Sequence, residues 1–101
     1  MTLSEQALKD ELKKLPEWSV EEDVLVSGFE FDDFLAAIDF VSVVAELAEE
    51  RKHHPRIVIE YNYVELSLYT HDADAITQKD IDFAHAVEQL PFLSGEEEHY
   101  D

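Results

Sequence analysis

The sequence predicts an α+β domain: a four-stranded antiparallel sheet with three helices packed on it, in the order α-β-β-α-β-β-α. Three observations predict it. Apolar residues recur at helical spacing in three segments, and β-branched and aromatic residues alternate with polar ones in the two stretches between them. A length of 101 residues, 46% of them hydrophobic, suits one core rather than two. Antiparallel hairpins separated by helices pack most economically as a sheet with helices laid against it.

The first helix is read from "TLSEQALKDELKKLP". Thr2 and Glu5 stand at capping-box spacing, Leu8, Leu12 and Leu15 repeat at helical intervals, and Pro16 stops the run. From Trp18 to Phe31, alternation around the acidic "EED" predicts a hairpin, with Gly28 as a candidate bulge. Asp32 then caps a long helix whose stripe is Phe34, Ile38, Val41, Ala45 and Ala48, widened by Leu35, Val44 and Leu47. That helix ends near Lys52, because Pro55 and the residue before it cannot continue the ladder. A second hairpin follows, with Ile57, Ile59 and Tyr61 on one face of its first strand. Val64, Leu66, Leu68 and Thr70 share a face of the second, opposite Glu65, Ser67, Tyr69 and His71, and the join near Asn62 must be tight. Thr77 and Asp80 repeat the capping-box spacing, Ile76 and Ile81 form a hydrophobic staple, and a third helix runs to about Leu90 before Pro91. The domain is expected over residues 1–93, with an acidic tail at 94–101.

Charge and composition exclude several functions. Against 25 acidic residues stand 7 basic ones, a net charge of -18 that repels phosphate backbones and argues against nucleic-acid binding. The acidity fits a solvated surface or a fold adapted to high salt, and stability measured against ionic strength separates the two. No apolar run approaches the ~20 residues of a membrane span, nothing resembles an export signal, and the chain has no cysteine. A cytoplasmic location without membrane partners is the expectation.

The histidines are the residues that suggest chemistry. His53 and His54 sit just past a helix C-terminus, where partial negative charge attracts an imidazolium, and Glu49 lies four residues before His53. His71 closes a strand that follows in a tight hairpin and can return beneath that helix end, so three imidazoles and a carboxylate converge in a set able to move protons near neutral pH. Simple capping explains a histidine at a helix end, or Asp80 in a capping box, on local features alone. Three histidines and an acid also suit zinc, but adjacent histidines diverge and no His-x-His or His-x3-His spacing is present, so no metal is expected.

Residues 49 to 80, "EERKHHPRIVIEYNYVELSLYTHDADAITQKD", resemble the signature of the pterin-4a-carbinolamine dehydratases: an acid, three residues, His-His-Pro, an aromatic, then a histidine and an aspartate. Glu49, His53, His54, Pro55, Tyr61, His71 and Asp80 hold those places, and the likeness runs more loosely through Trp18 and through "DIDFAHAVEQL". Ile57 stands where relatives usually carry tryptophan and Ala75 where they carry glycine. The resemblance implies the same four-stranded, three-helix fold and the removal of water from 4a-hydroxytetrahydropterin to give quinonoid dihydropterin, with the pterin as substrate and no cofactor. It implies His53 and His71 as general acids at the hydroxyl and His54 as the group that binds the pterin and takes the N5 proton. Glu49 would orient the pair, with Pro55, Tyr61 and Asp80 binding or orienting. It further implies a homodimer or homotetramer and a functional link to phenylalanine hydroxylase. The alternative is a non-catalytic protein-binding or dimerisation module of the same fold.

Overall fold

A computed structural model describes residues 3–90 and shows the expected order of elements. The helices are α1 (Glu5–Lys13), α2 (Phe34–Arg51) and α3 (Gln78–Glu88); the strands are β1 (Ser19–Glu21), β2 (Val24–Glu30), β3 (Arg56–Glu60) and β4 (Tyr63–Leu68). All neighbours pair antiparallel in the order β1-β2-β4-β3, so the two hairpins meet along β2 and β4 and leave β1 and β3 at the edges. Thr2, Pro91 and the proposed 94–101 tail lie outside the described residues.

Strand alternation sends one row of side chains into the core. Leu25, Phe29, Val64, Leu66 and Leu68 are buried together with Ala37, Phe40, Val44 and Ala48 of α2 and Ile81, Phe83, Ala84 and Val87 of α3. Leu8 and Leu12 of α1 pack against the same cluster, so all three helices cover one face of the sheet. Phe40 is its aromatic centre, with ring centroids 5.0 Å from Phe29 and 4.9 Å from Phe31. Ile76 and Ile81 are both buried around the start of α3, as a hydrophobic staple requires.

Several local expectations shift by a residue or two. Ser4, not Thr2, is the N-cap of α1, and its side chain accepts from the Ala7 N–H. Asp33, not Asp32, caps α2: its extended backbone lets Oδ1 accept from the Ala36 N–H at 2.8 Å. Asp33→Ala is therefore expected to cost about 1 kcal/mol in urea denaturation, and Asp32→Ala close to nothing; equal losses would contradict the assignment. The buried stripe of α2 is Ala37, Phe40, Val44 and Ala48, while Phe34 and Leu35 are 47% and 70% exposed. Starting the helix one residue later does not account for this. The two stripes are neighbouring faces of one apolar helix, and the bulky Phe40 decides which turns inward.

Gly28 marks no bulge: it pairs in register with Glu65. Its missing side chain leaves room for the Tyr63 ring, since a Cβ there would stand 1.9 Å from the Tyr63 hydroxyl oxygen. The β1–β2 turn places Glu22 and Asp23 at φ 53 and 68, the positive pair that two-residue hairpins favour. Tyr61 belongs to the β3–β4 turn, not to a strand, at φ 54. Asn62 closes that turn against β2: its Nδ2 donates to the Phe31 carbonyl and its own carbonyl accepts from the Phe31 N–H. β4 ends at Leu68, so His71 lies in the turn after it. The positive φ in that loop falls on Asp74 (57°) and not on Ala75, which forms a bridge with Thr70.

Candidate active site

The end of α2 positions the histidine pair. Lys52 adopts the left-handed conformation (φ 54, ψ 42), its N–H donates to the Glu49 carbonyl, and the His53 N–H donates to the Ala48 carbonyl. These two bonds are those of a Schellman motif, which satisfies the last carbonyls and turns the chain sharply out of the helix. Pro55 then commits the backbone to β3. His53 and His54 leave this corner in different directions, and each finds a different carboxylate.

His53 turns inward. Its Nε2–H donates to Asp80 Oδ1 at 2.5 Å, its side chain is only 11% exposed, and its ring meets Phe83 edge-on with centroids 6.2 Å apart. Asp80 is completely buried, so its lone pairs must be used within the fold. Oδ2 accepts from the Thr70 hydroxyl at 2.7 Å and from the Thr77 N–H at 2.9 Å, the latter as half of the α3 capping box. Because Thr70 gives its proton to Asp80, its oxygen accepts from the Thr77 hydroxyl, 2.8 Å away. Capping and histidine orientation, two readings of Asp80 from the sequence, are thus the work of its two separate oxygens.

His54 turns outward, and its Nε2–H donates to Glu49 Oε2 at 2.6 Å with both side chains largely exposed. Glu49 thus holds the second histidine of the pair, five residues on, and not the one four residues on. A carboxylate can only accept, so in both histidines Nε2 carries a hydrogen and Nδ1 is the nitrogen left to exchange a proton. The His71 imidazole makes no hydrogen bond among the described residues and packs edge-on against Tyr69, with centroids 5.2 Å apart.

The three histidines line one cleft of about 240 Å³, walled by Lys52 at the corner after α2, Tyr69, Thr70, His71 and Asp72 from the β4–α3 connection, and Lys79 from α3. A second hollow of about 180 Å³ shares His54, Tyr69 and His71 and continues onto the open face of the sheet past Val24, Arg56 and Ser67. The site therefore sits where the open sheet face meets the end of α2 and the start of α3. Tyr61 is not brought there: it is 65% exposed in the turn at the opposite end of the β3–β4 hairpin. Ile57 faces the core in register with Leu66 and does not wall the cleft. Among the described residues no group of three or more His, Asp or Glu side chains is arranged to hold a metal ion.

Residues the sequence reading passed over complete the site. The alternation of β4 places Thr70 in a core-facing row, and a hydroxyl in such a row needs a buried partner, which is the signal the sequence offers. Tyr69 donates its hydroxyl proton to Asp74. That hydrogen bond, then desolvation and the charges of Asp74 and Asp23, raise the phenol above its ordinary value of 10.0. The raised value favours the neutral phenol in the fold, so its stabilising effect is complete below the unfolded value and is lost as pH rises through the folded one. In an alkaline titration followed by phenolate absorbance, the Tyr69 step should lie above that of free tyrosine and move down in Asp74→Ala; a step that stays in place would refute the pairing.

Comparison with known proteins decides the family. The profile described as pterin 4 alpha carbinolamine dehydratase matches residues 1–90. The chain belongs to that family. Curated relatives provisionally named as pterin-4-alpha-carbinolamine dehydratases include one from a Cyanothece species, 46% identical over 88 residues that cover 87% of this chain and 91% of the relative. Another, from Acidobacterium capsulatum, is 44% identical and covered over 96% of its length. A crystal structure titled transcriptional coactivator/pterin dehydratase, from Brucella melitensis, superposes with a TM-score of 0.83 at 30% identity, covering 87% of this chain and 96% of that one. The three-helix, four-stranded architecture that the sequence predicts is thus found in the chain and in a solved relative.

Proposed function

We propose that this chain is a hydro-lyase that dehydrates 4a-hydroxytetrahydropterin to quinonoid dihydropterin. The observation that carries the proposal is the lining of a single cleft by His53, His54 and His71. Loss of water needs one proton delivered to the departing 4a-hydroxyl and one withdrawn from N5; the two sides balance without electron transfer, so the reaction needs no redox cofactor. His53 and His71 act as acids at the hydroxyl, and His54 binds the pterin and takes the N5 proton. With Nε2–H of His53 and His54 tied to carboxylates, Nδ1 of each makes the exchange. Asp80 and Glu49 position these rings. The substrate is the product that an aromatic amino acid hydroxylase leaves behind, which gives the link to phenylalanine hydroxylase its chemical basis.

Stopped-flow decay of the carbinolamine tests the reading. Acceleration over the spontaneous rate is expected, and either its absence or near-normal rates in all three His→Ala variants would remove the assignment. A second reading has its own support: the Brucella melitensis relative carries coactivator in its title, and Phe34 and Leu35 offer exposed apolar surface on α2. In that reading the fold serves as an association module, and homo-oligomer formation, checked by light scattering, belongs to both. Among the described residues no helix is long and apolar enough to cross a membrane.

A further inference from the structure

The charge of the cleft runs against the charge of the chain. Over the whole sequence, acidic residues outnumber basic ones 25 to 7. Around the histidine cleft and the hollow joined to it the order reverses: Lys52, Lys79 and Arg56 line them, and Asp72 is the one carboxylate on their walls. Most other nearby acids have a partner, Asp80 in His53, Glu49 in His54, Asp74 in Tyr69, and Glu65 in Arg56 at 4.0 Å, while Asp23 adds its charge near Tyr69 without lining either hollow. Neither Lys52 nor Lys79 lies within ion-pairing distance of a carboxylate among the described residues. Among the described residues Lys9 and Arg51 are likewise without a carboxylate partner, so what sets Lys52 and Lys79 apart is their place beside the three histidines of the cleft.

Lys52 also occupies a backbone position that disfavours it. The left-handed corner of a Schellman motif is usually glycine, because any Cβ there is strained. Lysine at that corner combines a strained backbone with a side chain that lines the cleft. A neutral pterin bicycle offers such cations hydrogen-bond acceptors but no opposite charge, whereas an anion attached to it is attracted by both.

We infer that the preferred ligand of this cleft is a pterin bearing an anionic side chain, a phosphate ester or a carboxylate conjugate, whose charge is held between Lys52 and Lys79. The inference rests on reading the cleft as a pterin site, but it is tested by binding and does not require turnover. Three stable 7,8-dihydropterins serve as probes: one with a neutral hydroxyalkyl chain, one with a phosphate ester and one with a glutamyl conjugate. The ratio of Kd for the neutral probe to Kd for an anionic probe is expected to be about tenfold at low salt, to shrink as salt is added, and to approach one in a Lys52→Gln/Lys79→Gln double variant. Whichever anionic probe shows the larger ratio identifies phosphate or carboxylate as the group recognised. Taking ratios cancels any loss common to all probes if the double variant is less stable. Equal affinities in the unmodified protein would overturn the inference, as would a preference that survives loss of both lysines. The dehydratase reading fails separately, if no carbinolamine of any charge decays faster with the protein present while the Kd ratios remain measurable.

Discussion

His53→Ala is expected to slow dehydration of the carbinolamine by about 10²- to 10⁴-fold, the contribution of a positioned acid–base group. The expectation is stronger for His53 than for its neighbours because its ring is held on two sides. Asp80 fixes Nε2 and Phe83 lies against the ring, in a site where only 11% of the side chain meets solvent. A proton donor that does not have to be oriented at the moment of reaction loses most when removed. The His54–Glu49 pair differs: with side chains 62% and 78% exposed, Glu49→Gln should change stability by less than about 1 kcal/mol and act mainly through the orientation of His54. Single-turnover rates for the two variants, with circular dichroism as the control for folding, make the comparison. A His53→Ala enzyme within about threefold of the parent would leave the ring as packing for Phe83 and no more.

How much of this was legible beforehand depends on the physical origin of each feature. Element order came through because it rests on periodicity summed over many residues, so an error of one position does not change it. The Thr77–Asp80 cap of α3 came through as well, but the caps of α1 and α2 did not, because two adjacent candidates such as Asp32 and Asp33 are equivalent in composition and only the extended backbone at one of them decides. The inward face of α2 was misjudged for a related reason. Its apolar residues nearly encircle the helix, so the sequence held no contrast from which to choose a side. At the site, the convergence of His53, His54 and His71 followed from Pro55 after the helix and the tight β3–β4 hairpin, which bring remote positions to one end of the sheet, although His71 lies in the turn after β4 and not on the strand. Which carboxylate serves which histidine was not legible. That choice is made by the Schellman corner at Lys52, which sends adjacent side chains apart, and by Thr70, which anchors Asp80 from an inward-facing position. Tyr61, equally spaced in the motif, lies at the far end of its hairpin, because a two-residue turn reverses the chain there and not at the cleft.

Asp80→Ala should destabilise the fold by about 2 to 5 kcal/mol, since it strips partners from buried donors and ends the capping box in one step. The Thr77 N–H and the Thr70 hydroxyl both lose their acceptor, and His53 loses the group that holds its ring. The same substitution must slow the reaction if Asp80 positions His53, but an unstable enzyme slows for many reasons, so the informative partner is Asp80→Asn. Its amide oxygen can still accept from the Thr77 N–H and preserve the cap, while its charge is gone and its NH₂ can meet Nε2 only by forcing the other tautomer of the ring. Asp80→Asn is therefore expected to recover most of the stability lost in Asp80→Ala yet to keep kcat at least about tenfold down with KM little changed. Thr77→Ala supplies the converse, a cap loss of about 1 kcal/mol with kcat largely retained. Melting and single-turnover measurements on the three variants separate the two oxygens of one carboxylate: if rate follows stability across the series, Asp80 is only a helix cap, and if Asp80→Asn breaks that correlation, the buried carboxylate works through His53.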